Sequence, residues 1–439
     1  MTMLDRRTMM KGAGATLGLA MSARSYAQIK GANDRLRVAI VGVNGRGQAH
    51  MGGFSKLPNV AITHLVDVDS AILAKRAAEF TAKGNPAPRT EHDYRRLLDS
   101  KAVDVVTVAT PDHWHAKVAI DAMNSGRHVY CEKPIGIAPA EGEAMIATQQ
   151  RTGRKLQVGD QQRSSRETQQ LAALIKAGAL GDIYEAQTWY ANNRKSIGKG
   201  QEVAPPPNLD WNMWQGPRPR GPYRSNLVPY NWHWFWKYGT GEICNNALHE
   251  LDVARWLMGL TYPEKVSAQG SRQFYRGDDW EMYDTLALDL MYDGGRKIRW
   301  DGNSCNGMLR YGRGRGVLLL GTKGSAVVDR NGFELYDLDG KQTRVVSAQA
   351  VSGTTDTVGE GALDVLHMGN LVDVIRGKAS ALASPIQEGH ISTTLCHLGN
   401  MAYRTNSILT IDPATGKPSS PEAMKLWSVD YEPGWEVKA

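Results

Sequence analysis

Cysteine is scarce: Cys131, Cys244, Cys305 and Cys396 are the only four in 439 residues. That is too few for a disulfide scaffold. No two of them stand at the short spacing of a zinc ligand pair, which argues against a metal centre and leaves free buried thiols as the expectation. No stretch reaches the ~18 consecutive apolar residues of a membrane span, so stable membrane insertion is not expected. Excess charge is thin as well. Of the net +7, Arg6, Arg7, Lys11 and Arg24 against Asp5 place +3 in residues 1–27, and the remainder carries no dense Lys/Arg block. A mildly basic surface without such a block argues against a nucleic-acid partner. There is no internal repeat and no low-complexity segment.

What is present begins with "DRRTMMKGAGATLGLAMSARSYAQ". A twin arginine, a short small-residue apolar stretch and the Ser25-Tyr26-Ala27 cleavage sequence are expected to form a twin-arginine export signal, delivering the protein to the periplasm. Residues 1–27 are therefore set apart from the fold. From Leu36 onward apolar runs alternate with helical stretches: "LRVAIVGV", "VAITHLVDV", "VDVVTVATP", "HVYCEKP" and "KLQVGDQQ" read as buried strands. That alternation predicts a parallel sheet covered by helices, an α/β nucleotide-binding domain over residues 35–160. Residues 161–439 predict an α+β domain with an antiparallel sheet, from strands such as "DTLALDLMYDGG" and "GVLLLGTKGS" separated by Gly and Asp turns. Within it, residues 191–240 form an excursion rich in Gly, Pro and Trp.

The first strand ends in "VGVNGRG". Gly42, Gly45 and Gly47 between a strand and a helix are the turn of a dinucleotide fold, which brings backbone amides to a pyrophosphate at the helix N-terminus. Asn44 stands where a second glycine is usual; asparagine tolerates the left-handed conformation such a turn can require. Asp67 ends the second strand, placed to bind the adenosine ribose hydroxyls, and no Arg or Lys follows it immediately, which favours NAD over NADP. Arg46, Thr110, Pro111, His113, His115, Glu132 and Lys133 lie at or near the same strand ends and complete the predicted cofactor set. In "CNNALHELD" a uniform helix puts Asn245, His249 and Asp252 on one face. Lys133 and His249 are candidates to move a hydroxyl proton. The aromatic excursion supplies Tyr230, His233 and Trp236 as candidate sugar contacts, with most of its rings expected to pin the loop itself. Arg163 is a further candidate substrate contact.

Together "VGVNGRG", Asp67, "ATPDHWH", "CEKP" and "HELDVARWLMG" resemble the Gfo/Idh/MocA family of oxidoreductases. The resemblance implies a Rossmann domain, a second domain with a large open sheet whose free face joins subunits of a homo-oligomer, and catalytic roles for Lys133 and His249. Asn245 departs from the aspartate that inositol dehydrogenases carry four residues before the histidine, so an intact Lys–Asp–His triad is not implied. The expected function is a nicotinamide-dependent oxidoreductase acting on a sugar or polyol. Because export argues for a cofactor loaded before translocation, tight binding and internal recycling are expected. The alternative is an NAD-dependent glycosidase that oxidises a ring hydroxyl, eliminates the aglycone, adds water and returns the hydride; Lys133 argues against the N-acetylgalactosaminidase subgroup, which typically lacks it. A non-catalytic sugar-binding protein is the third reading.

Overall fold

The computed structural model describes residues 35–348 and 361–439; the expected export signal lies outside them. Six strands, β1 (Leu36–Val41), β2 (Val60–Val66), β3 (Arg89–Glu91), β4 (Val105–Val108), β5 (His128–Cys131) and β6 (Leu156–Val158), form one sheet in the order β3-β2-β1-β4-β5-β6. Every pairing in it is parallel. The order reverses between β1 and β4, which opens a crevice beyond their carboxyl ends.

The apolar runs explain the layers. Successive side chains of β1 point to opposite faces, so Val38 and Ile40 pack with Leu65, Val105 and Tyr130 on one side. Ala39 and Val41 pack with Val106, Val108 and Val129 on the other. Helix α1 (Arg46–Ser55) covers the first face, joined by a helix from far along the chain, Ala362–Ile375, whose Met368, Leu371 and Val372 enter the same core. At Gly53 an added Cβ would meet Met368 Sδ at 2.5 Å, a measure of how closely the two helices approach.

The second sheet has nine strands: β7 (Ile183–Ala191), β8 (Lys265–Ser271), β9 (Thr285–Met291), β10 (Lys297–Asn303), β11 (Arg315–Gly321), β12 (Ser325–Asp329), β13 (Gly332–Tyr336), β14 (Gln342–Ser347) and β15 (Leu409–Thr410). Their order is β14-β13-β12-β11-β7-β10-β9-β8-β15. Only β7 and β10 run parallel; the other pairings are antiparallel. Helices Leu248–Met258 and Ile386–Thr405 bury one face, closing a core that includes Leu251, Leu288, Ile298, Trp300, Leu319 and Leu398. The four cysteines are buried and free. Among the described residues no helix is long and apolar enough to cross a membrane.

The aromatic excursion carries its own small core of Leu209, Trp214, Tyr223, Leu227, Trp232, Phe235 and Tyr238. Trp211 stacks on Trp214 at 4.9 Å, and Trp234 on Trp280 at 4.2 Å. Most of these rings therefore hold the loop to its domain.

Candidate active site

A cavity of about 1900 Å³ runs from the glycine turn, across the strand ends, to the helix that carries His249. A pocket for one small ligand occupies about 300–1,000 Å³, so there is room for a dinucleotide and a second molecule.

At the cofactor end the backbone does most of the building. Gly42 has φ +82, and a Cβ there would meet Ala109 O at 2.6 Å. A Cβ on Gly47 would meet Gly42 O at 1.9 Å, whereas one on Gly45 would meet nothing within 4 Å. Two glycines are thus demanded by the turn itself, and the third leaves space on the cavity side. Asn44 is not among the residues of positive φ; the turn forms without the left-handed asparagine expected from the sequence. Helix α1 follows Gly45 at its N-cap position, with no side-chain cap and no acid in its first turn. Its first N–H groups and positive dipole end are available to a phosphate. Asp67 accepts from the Val43 and Asp69 amides, both at 3.0 Å; burial raises its pKa against those bonds. Its carboxylate lines the cavity where a ribose would lie. These features fit a dinucleotide.

Thr110, Pro111 and His115 line the cavity as predicted from the sequence. The ring nitrogens of His115 face the Thr110 and Pro134 carbonyls at 2.8 and 2.5 Å, so this side chain ties two strand-end loops together. Arg46 and Glu132 line it too, bound to each other at 2.8 Å, with Arg46 also on Asp364 and His50 also on Glu132. Burial pushes the Glu132 carboxyl up, but Arg46 and His50 outweigh it and hold it well below the usual range.

At the other end the chain meets itself. Lys133 Nζ donates to the Asn245 carbonyl at 2.5 Å, bridging the parallel domain to the second domain. Burial lowers the Lys133 pKa, with Glu132 and Asp112 partly restoring it. Asn245 lies in a π-helical turn, Ile243–Ala247, that leads into helix Leu248–Met258. The uniform helix expected from the sequence is therefore broken at its start, as π turns often do at functional sites. Asn245 and His249 still both face the cavity. His249 is 5% exposed and has no side-chain hydrogen bond to any described residue. Burial, then the positive charges of Arg330, Lys133 and Arg315, hold its pKa well below 6.5. At neutral pH it is an uncharged imidazole, competent to take a proton. Tyr230 and His233 complete this wall; His233 stacks on Trp232 at 3.6 Å.

Four residues singled out from the sequence lie elsewhere. Asp252 faces away from the cavity, accepting from Arg163 at 2.8 Å through both oxygens and from Ser392 at 2.6 Å. Arg163 is the other half of that buried pair and does not reach the cleft. His113 sets its ring nitrogens against the Trp214 and Tyr238 carbonyls at 2.9 and 3.3 Å, pinning the aromatic excursion. Trp236 lies under the Arg404 guanidinium at 4.8 Å and lines a separate cavity of about 270 Å³. Conversely, Arg330 and Asn331, in the turn between β12 and β13, line the main cavity. In the sequence "VDRNGF" reads only as a hairpin turn, with no local sign of a site.

Residues 36–160 match the NAD-binding Rossmann fold of the GFO/IDH/MocA oxidoreductases, and residues 168–327 match a C-terminal domain of the same family. Together these matches span well over half of the chain. The protein is a member of the GFO/IDH/MocA family. Among curated sequences it is similar to a glycosyl hydrolase family 109 protein of Shewanella pealeana, 29% identical over 161 residues, which are 36% of this chain and 35% of the relative. The chain thus spans about a third of the length of the curated relatives it matches. Among solved structures it is similar to levoglucosan dehydrogenase in complex with NADH and levoglucosan, at TM-score 0.67 and 19% identity over 86% of this chain and 99% of that one. The WlbA dehydrogenase from Bordetella pertussis, in complex with NADH and UDP-GlcNAcA, gives 0.64 and 20% over 86% and 99%. At such identities the two structures support the fold.

Proposed function

We propose that this family member is an NAD-dependent oxidoreductase acting on a sugar or polyol hydroxyl. The observation that carries the reading is the joining of the glycine turn, Asp67, Lys133 and His249 in one cavity, with Lys133 bridged to the helix of His249. NAD, when bound, supplies a hydride acceptor or donor. The chain supplies the rest. Uncharged His249 takes the hydroxyl proton of an alcohol or returns it to a carbonyl. Lys133, its pKa lowered by burial, stands beside it as a donor that polarises the same oxygen. The Asn245 side chain orients the substrate by hydrogen bonding; its amide cannot act as a base.

Export through the twin-arginine route, a retained and internally recycled cofactor, and a homo-oligomer joined through the nine-stranded sheet belong to this proposal. So does a second reading, favoured by the similarity to glycosyl hydrolase family 109: transient oxidation of a glycoside, elimination, hydration and re-reduction on the same residues. One experiment separates them. The purified protein is denatured and its released nicotinamide identified, and the native protein is then given free sugars and aryl glycosides without added cofactor. Glycoside cleavage with no net NADH selects the hydrolytic reading. Net NADH or exchange of hydride between two sugars selects the oxidoreductase.

A further inference from the structure

Arg330 lines the main cavity, half-buried, and has no hydrogen-bond or ion-pair partner among the described residues. The other arginines around it are neutralised. Arg315 is on Glu250 at 2.7 Å, Arg163 on Asp252, and Arg46 on Glu132 and Asp364. No carboxylate lining the cavity is left over for it among the described residues. Asp67 accepts two backbone amides, Asp69 caps the helix Ser70–Ala82, and Asp112 accepts from Thr240 at 2.6 Å. Glu167 takes the Ser165 hydroxyl. Even Asp329, the residue before it, is held by Arg313 at 3.0 Å and by the Asn331 amide.

A half-buried guanidinium that faces a cavity with no direct partner is a ready site for an anion, and its planar fork suits a carboxylate or phosphate. Its position indicates which anion. The phosphates of a dinucleotide belong at the uncapped start of helix α1, where Arg46 is already neutralised. Arg330 belongs to the far end: continuing the β11–β12 register beyond Val317↔Val328 sets it opposite Arg315, which is bound to Glu250, the residue after His249, and its charge helps to depress the His249 pKa.

We propose that Arg330 binds an oxyanion carried by the sugar, so that the substrate class is an acidic sugar, a uronate or sugar phosphate, rather than a neutral hexose. This deepens the proposed oxidoreductase reading and rests on it. Docked there, the anion orients the ring against Lys133 and His249 and adds no competing base to the site.

The full-length protein saturated with NADH is titrated calorimetrically with glucuronate, galacturonate, mannuronate and glucose 6-phosphate, each against its parent hexose. At least one acid should bind roughly 10- to 100-fold tighter than its parent, the scale of a charge-assisted bidentate contact. Arg330→Gln should remove that preference, Arg330→Lys should keep part of it, and NADH affinity and melting should be unchanged in both. Equal binding of every acid and parent, or a preference that survives Arg330→Gln, overturns the inference. So does weakened NADH binding in Arg330→Gln, which assigns the guanidinium to a cofactor phosphate. Turnover is read separately. Acid binding with no hydride transfer to or from any sugar removes the oxidoreductase reading and leaves this one. Turnover of neutral sugars with no preference for acids does the reverse.

Discussion

The two ends of the cavity are made in different ways. The cofactor end is made of backbone: a tight turn fixed by Gly42 and Gly47, an uncapped helix start, and one carboxylate braced by two amides. The other end, the proposed substrate end, is made of side chains from separate places: Lys133 after β5, Tyr230 and His233 in the aromatic excursion, Asn245 and His249 on a helix with a π turn, and Arg330 on a sheet turn. The first kind of site depends on neighbours in sequence and changes little with what surrounds it. The second depends on which partners the tertiary fold leaves free, and its chemistry is set by burial and unpaired charge.

Breaking the substrate end should cost most in rate. Lys133→Ala and His249→Ala are each expected to lower kcat by roughly 10²–10⁴-fold, the usual worth of a positioned acid or base, with NADH affinity retained. Fluorescence titration with NADH beside steady-state assay checks this split. Full activity in both variants removes the assignment.

Within the cofactor end, two glycines two residues apart should fail differently. Gly47→Ala drives a Cβ onto the Gly42 carbonyl, which forces the turn to move and should abolish NADH binding and lower the melting temperature. Gly45→Ala has open space in the protein. It should fold normally and weaken only NADH binding, because the methyl intrudes where a pyrophosphate approaches. Melting curves with and without NADH distinguish the two.

Arg163→Ala tests a residue that serves neither end. Removing one member of its buried pair with Asp252, whose side chains are 5% and 2% exposed, is expected to cost about 3–5 kcal/mol of stability. KM and kcat measured below the shifted transition should be unaltered; a selective rise in KM would return Arg163 to the substrate site.

Asp67→Asn should weaken NADH by roughly 1.5–3 kcal/mol, the scale of hydrogen bonds to a charged group, with kcat at saturating cofactor maintained. The smallest effect expected concerns pH. The folded pKa of His249 lies well below 6.5, so the imidazole stays uncharged as pH falls through 6.5 and kcat/KM should not drop there. Its acid limb should appear only at lower pH. Because the unfolded chain takes up that proton first, the same buried ring lowers stability as pH falls below 6.5. A kcat/KM profile falling with a midpoint near 6.5 would contradict this environment for His249.

The same contrast decides what could be read from the sequence. The alternation of strands and helices, the glycine turn and Asp67 are written locally, because each follows from backbone rules over a few residues. Lys133 and His249 were legible through motifs, and the structure brings them to one cavity. Arg163, His113 and Trp236 were misplaced for one reason: arginine, histidine and tryptophan suit a cleft and a buried clamp equally well. Only Asp252, the Trp214 carbonyl and Arg404 settle which they occupy. Asp252 shares a helix with His249, yet the packing of helix Ile386–Thr405 turns it inward to Ser392. Arg330 was invisible because its significance is a missing partner, which no window of sequence displays.

The central claim is that one cavity joins a nicotinamide to the Lys133–His249 pair. The most direct test mixes the NAD-loaded protein rapidly with a panel of neutral and acidic sugars and follows the nicotinamide absorbance through a single turnover. The account predicts rapid reduction by at least one sugar in the wild type and its near-complete loss in Lys133→Ala and His249→Ala, although both variants still bind NAD. No reduction by any sugar or glycoside, or equal rates in all three proteins, would contradict it.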